Sequence, residues 1–206
     1  MLSHEEKKIT AIHEAGHAVV GHILPHADSI RKISIISRGV ALGYTWNMPD
    51  EDRKLETKER FLDQIDSLMG GRVAEEEFYG SNKITTGAQN DLKRATELAR
   101  KMVTEYGMSE RLGPQTYGHK EEMPFLGKDY GEQRNYSNEV ANLIDGEVSA
   151  IIIGAKKRAK EIVQTNKGIL EKIAETLLKK EILESVEFEK FFDSKVAGKA
   201  VKENKE

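Results

Sequence analysis

The 206-residue chain has no cysteine, which excludes disulfide frameworks, thiolate zinc fingers, iron–sulfur clusters and cysteine nucleophiles together. Any metal must be held by His, Asp or Glu. It also lacks a long apolar run: the longest, around Val148 to Ala155, falls far short of the roughly 18 residues that a membrane-spanning helix needs. The opening residues, Met1 to Glu6, carry no signal-peptide pattern, so direct membrane insertion of this chain is not expected. Charge of one sign is not in excess. Lys and Arg total 32 against 35 Asp and Glu, mixed along the chain, and no basic stripe argues for a nucleic-acid partner. Proline is scarce at four, and 33% charged against 38% hydrophobic residues suits a helix-rich, soluble surface. A chain of this length buries a real core without staples, so a metal is free to serve function.

What is present is mostly helical periodicity. Ile9, Ile12, Ala15, Val19 and Ile23 recur at helical spacing from Glu5 to Ile23, where Pro25 stops them. Ile30 to Ser37 and Val40 to Trp46 are rich in Ile, Val, Tyr and Thr around a Ser-Arg-Gly turn, and predict a short β-ribbon. Thr57 reads as an N-cap for a second helix running through Gly70 and Gly71 toward Phe78; paired glycines there signal a kink or close packing. Thr86 with Gln89 has capping-box spacing ahead of the stripe Leu92, Ala95, Ala99, Met102 and Tyr106, which Gly107 ends. A loop-rich stretch, Ser109 to Gly131, is long enough to be a mobile or binding segment. Ser137 opens the longest helix, Asn166 caps another, and Val186 to Phe192 closes the fold with a short one. The expected fold is mainly α, a single-domain helical array over residues 1–193 with one small β-ribbon, followed by a polar, disordered tail over 194–206.

His13, Glu14, Ala15, Gly16 and His17 form an H-E-x-x-H pattern inside the first helix. Residues four apart lie about 40° apart around a helix, so both imidazoles can reach one zinc ion while Glu14 projects beside them toward a metal-bound water. A catalytic site needs a third protein ligand and an open position. Asp91, in the first turn of its helix at the edge of the buried stripe, is one candidate, and complementing the helix dipole is its plainer role. Glu75 and Glu76 are rivals, whereas Glu77 is expected to be solvated. His22 and His26 are expected to be surface or packing residues, and His4 and His119 stand alone. Tyr44, Trp46 and Phe61 read as core or rim aromatics. Lys156, Lys157, Arg158 and Lys160 read as the solvated face of a helix, with a subunit contact as the alternative.

The segments His13 to Gly21 (H-E-A-G-H-A-V-V-G), Arg38 to Thr45 (R-G-V-A-L-G-Y-T), Gly70 to Glu76 (G-G-R-V-A-E-E), Thr86 to Ala95 (T-G-A-Q-N-D-L-K-R-A), Met108 to Pro114 (M-S-E-R-L-G-P) and Phe125 to Lys128 (F-L-G-K) resemble, in order, the peptidase domain of the FtsH family. Those proteins are membrane-anchored, ATP-dependent zinc metalloproteases. The resemblance implies zinc (Zn2+) held by His13, His17 and Asp91, which places Asp91 ahead of Glu75 and Glu76. It implies an ATPase module in the parent protein that is absent from this chain, since no G-x-x-x-x-G-K-[ST] loop is present. It further implies a homo-hexameric ring, anchored in the cytoplasmic membrane with this domain on the cytoplasmic side. Ser37, where the family usually has proline, touches no expected ligand.

The expected chemistry is a zinc-dependent endopeptidase with Glu14 as general base, acting on unfolded or threaded polypeptides. The strand around Gly43, Tyr44 and Thr45 is a candidate edge for an extended substrate, with a plain structural ribbon as the alternative. Two competing readings are an inactive helical assembly module of a ring complex, and a metal hydrolase acting on a small molecule.

Overall fold

The computed structural model describes residues 3–37, 43–48, 55–118 and 135–192. The elements run α1 (His4–Ile23), β1 (Ser29–Ser34), β2 (Tyr44–Met48), α2 (Lys58–Tyr79), two 3-10 turns (Ser81–Lys83 and Thr86–Ala88), α3 (Gln89–Thr104), α4 (Asn138–Thr165), α5 (Lys167–Lys180), β3 (Ile182–Glu184) and a closing helix, α6 (185–192). The mainly α architecture matches the expectation. The expected Ser-Arg-Gly turn, most of the long loop, His119 and the polar tail lie outside the described residues.

α1 starts because Ser3 closes a capping box with Glu6: its hydroxyl accepts from the Glu6 amide while the Glu6 carboxylate accepts from the Ser3 amide. Leu24 turns to extended backbone just before Pro25, which cannot continue the helix. α1 then crosses α2 with almost no side chain between them. A Cβ on Gly16 would fall 2.5 Å from the Gly70 carbonyl oxygen, and one on Gly70 would fall 2.7 Å from that of Gly16. The paired glycines are therefore a backbone-to-backbone contact, and α2 remains one continuous helix through them.

Around that crossing, α1 also packs on α4, α5 and the sheet, and Val19, Ile65, Met69, Ala99, Ile144, Leu170, Ile173 and Leu177 are sealed in one core. α4 is latched to α2 by charge. Arg158 grips the fully buried Asp66 through two hydrogen bonds of 2.6 and 2.7 Å, Lys156 pairs with Glu76, and Lys160 reaches both Glu76 and Glu77. Lys156, Lys157 and Arg158 are exposed, as expected of a solvated face, although three residues of the cluster also pair with carboxylates of α2; the expectation for Glu77 is corrected, since it is half-buried and accepts as well from Gln164. Capping also differs in detail. Thr57 and Ser137 cap as expected, but Thr85, one residue before Thr86, caps the turn ahead of α3, and the Asn166 amide donates back to Ile162.

The ribbon is part of a three-stranded antiparallel sheet in the order β2-β1-β3. Ile33 sits opposite Thr45 on one side and Leu183 on the other. β3 was not expected: three residues are too few to display alternation, and tertiary pairing alone defines them. β1 is the middle strand, so β2 carries an outer edge to which no strand pairs among the described residues.

Candidate metal centre

Helical spacing brings the two motif histidines together on α1. Their Nε2 atoms lie 3.0 Å apart, and Asp91 Oδ2, from the first turn of α3, lies 3.4 Å from that of His13 and 3.3 Å from that of His17. Among the described residues this is the group of three or more His, Asp or Glu that could hold a metal ion. Zinc bonds of about 2.0–2.1 Å in tetrahedral array require donors about 3.3 Å apart. The triangle fits that requirement, and its two nitrogens and one carboxylate oxygen suit zinc.

The outer ring nitrogens are committed elsewhere. His13 Nδ1 lies 2.7 Å from Glu75 Oε1 and His17 Nδ1 lies 2.8 Å from the Ser67 carbonyl oxygen. Both acceptors demand a proton on Nδ1, so each ring in its neutral form turns the Nε2 lone pair to the triangle. Glu75 is buried and its second oxygen accepts from the Thr85 amide at 2.7 Å. One carboxylate thus ties His13 to the turn that leads into α3 and delivers Asp91. Neither Glu75 nor Glu76 joins the triangle: the first orients His13, and the second pairs with Lys156. Gly71 supplies the floor, since a Cβ there would fall 2.5 Å from His13 Nε2.

The charges follow from packing. Burial would push the His13 imidazole down, but the carboxylates of Asp91 and Glu75 outweigh it and raise the metal-free group to about 9. Burial would push Asp91 up, yet its contacts with both imidazoles hold it far below the usual carboxylate range. Glu75 is likewise lowered by His13 and the Thr85 amide against the effect of burial. Glu14 goes the other way: it is buried, and desolvation raises it despite the two imidazoles and Thr45.

Glu14 faces β2. Thr45 Oγ1 donates to Glu14 Oε2 at 2.8 Å, and a Cβ on Gly43 would lie 2.8 Å from Oε1. The strand expected to take substrate therefore touches the expected base through two of its residues, while Trp46 is exposed on it. The other histidines behave as expected: His22 packs against Phe188 and Phe192, and His26 and His4 are exposed. Phe61 stacks on Tyr106. Sequence reasoning missed Glu75 as a histidine partner, the Ser67 carbonyl, the Gly71 floor and the Thr45 hydroxyl. Only the glycine pair carried a signal, because glycine inside a helix implies a close neighbour.

The sequence pattern of peptidase family M41 matches residues 1–191. The ATP-dependent zinc metalloprotease FtsH 1 of Sphaerobacter thermophilus is 52% identical over 193 residues, covering 94% of this chain and 29% of that protein. The ATP-dependent zinc metalloprotease FtsH of Pseudothermotoga lettingae is 48% identical over 206 residues, covering 100% of this chain and 33% of that protein. That of Thermotoga maritima is 48% identical over 188 residues, 91% and 30% of the two chains. The chain thus spans about a third of the length of these relatives. With the match running through α1 and α3, which carry the donors of the triangle, and through α2, which braces the two imidazoles, the chain belongs to peptidase family M41.

Proposed function

We propose that the chain is the zinc-dependent endopeptidase domain of a longer ATP-dependent protease, with zinc held by His13, His17 and Asp91 and with Glu14 as general base. The observation that carries this reading is the triangle of donors at 3.0, 3.3 and 3.4 Å with the buried Glu14 one residue from the first donor. When bound, zinc supplies Lewis acidity at a scissile carbonyl and lowers the pKa of water at its open position. The protein's own residues do the rest. Glu75 and the Ser67 carbonyl hold the imidazoles in the tautomer that presents Nε2. Glu14, whose affinity for a proton is raised by burial, accepts one from the attacking water at its carboxylate and passes it to the leaving amine.

The outer edge of β2, to which no strand pairs among the described residues, takes an extended polypeptide as an added strand along Gly43, Tyr44 and Thr45, which gives backbone recognition with little sequence selectivity. The domain spans residues 1–193, with a polar tail over 194–206. In the parent protein an ATPase module unfolds and feeds the substrate, six copies form a ring, and a membrane anchor outside this chain holds it at the cytoplasmic membrane with this domain on the cytoplasmic side. No helix among the described residues is long and apolar enough to cross a membrane. An assembly module without catalysis is not favoured, because it has no need of a donor triangle.

The test is cleavage of casein by the purified chain, with metal content by mass spectrometry. Wild type and Glu14→Gln should both hold one zinc, and cleavage by the variant should fall about 10²- to 10⁴-fold. A chelator should abolish the wild-type activity and added zinc restore it. Equal cleavage by the two proteins would sink the assignment of Glu14, and a folded wild type that binds no zinc would sink the metal site.

A further inference from the structure

Glu14 is held almost entirely by the edge strand. Glu14 is 7% exposed, and its carboxylate lies between Thr45 of β2 and Gly43, the residue just before that strand. At Gly43 the backbone comes so close that a Cβ would meet Oε1 at 2.8 Å and Cγ at 2.9 Å. At Thr45 the hydroxyl lies 2.8 Å from Oε2 and 3.3 Å from the Glu14 carbonyl oxygen. Its single proton goes to the nearer, charged acceptor, because a hydrogen bond to an ionised group is the stronger. Thr45 itself is anchored opposite Ile33, which is fully buried on the central strand.

We infer that Thr45 is a positioning residue for Glu14: its hydroxyl pins Oε2, sets the carboxylate plane and leaves Oε1 for proton transfer. This deepens the peptidase reading and rests on it. A base must be held close to its productive geometry, and a carboxylate on three rotatable bonds, the last of which sets its plane, needs a partner to be so held. The arrangement also joins two tasks. The strand that offers its outer edge to a peptide backbone is the strand that holds the base, so a docked substrate stiffens the clamp on Glu14. Gly43 serves the same end by omitting a side chain, and Thr45 by supplying one hydroxyl.

The test compares wild type, Thr45→Val and Thr45→Ser, each loaded with zinc and assayed on a fluorogenic peptide. Valine keeps the shape and the β-branching of threonine and removes only the donor. The expected result is a kcat about tenfold or more below wild type for Thr45→Val, with KM and zinc stoichiometry unchanged, and near wild-type kcat for Thr45→Ser. An unchanged kcat in Thr45→Val, a loss confined to KM, or a serine variant as impaired as the valine one would each overturn the inference. A readout independent of turnover is a double-mutant cycle in the metal-free chain, unfolding Thr45→Val with and without Glu14→Leu. The destabilisation by valine should shrink when Glu14 is absent, and equal effects in both backgrounds would overturn the contact. If wild type binds zinc yet cleaves nothing, the peptidase reading falls, and the cycle still decides the clamp.

Discussion

Gly71→Ala separates the metal site from the fold that carries it. The new methyl would lie 2.5 Å from His13 Nε2 and 2.6 Å from both Cδ2 and Cε1, where nonbonded carbons normally keep about 3.5–4.0 Å. Something must therefore retreat by about 1 Å. The helix cannot, because the neighbouring Gly70 is already pressed against the Gly16 backbone. The imidazole must swing, stretching or breaking its 2.7 Å bond to Glu75 and carrying Nε2 out of a triangle whose edges are 3.0 and 3.4 Å at that corner. Loss of ring orientation alone lowers metal affinity about 10- to 100-fold, and displacement of a donor adds to it, so a drop of about 100-fold or more is expected. Stability should change less than zinc affinity, since alanine's gain of about 1 kcal/mol in helix propensity offsets part of the cost of the weakened Glu75 bond. Gly70→Ala is the control. Its methyl would strike backbone, 2.7 Å from the Gly16 carbonyl oxygen, so the helices must part and the cost is about 1–3 kcal/mol. Zinc affinity by competition with a chromophoric chelator, alongside thermal unfolding, resolves the two. Wild-type zinc affinity in a folded Gly71→Ala protein would refute the reasoning.

Three further outcomes follow from the contacts. Glu75→Gln should weaken zinc binding about 10- to 100-fold and also loosen the turn at Thr85, seen as lower thermal stability of the metal-free protein; unaltered affinity would show that His13 needs no partner. Arg158→Met should destabilise by about 3 kcal/mol because it strands the buried Asp66, whereas Asp66→Asn should cost less because Arg158, 44% exposed, can turn to water; equal costs in urea unfolding would contradict this. Lys156 beside it holds the Glu76 carboxyl below its ordinary 4.5. A depressed folded-state value adds stability that is complete above pH 4.5 and fades as acid protonates the group. The gap between wild type and Glu76→Gln should be about 0.2–1 kcal/mol at neutral pH and close on acidification below 4.5, and a gap that widened instead would show the opposite sign.

Local chemistry and helical period determined most of the elements and half of the site. Thr57 and Ser137 announce helices because a side-chain oxygen satisfies amides of the first turn, and Pro25 ends one because its ring blocks continuation. His13, Glu14 and His17 are legible because four residues return to the same helix face. Asp91 was one of several carboxylates on residue pattern alone, singled out by family resemblance, since no local rule says which helix start will meet α1. β3 was hidden for a similar reason: three residues become a strand only by pairing with β1. Only the tertiary structure decided that Glu75 holds His13, that Ser67 offers its carbonyl to His17, that Gly71 makes room for an imidazole and that Thr45 grips Glu14. Each of these joins residues more than thirty positions apart, and such contacts depend on the distance between two packed backbones, set for the first three by the glycines pressed together where α1 crosses α2 and for the last by Gly43 against Glu14.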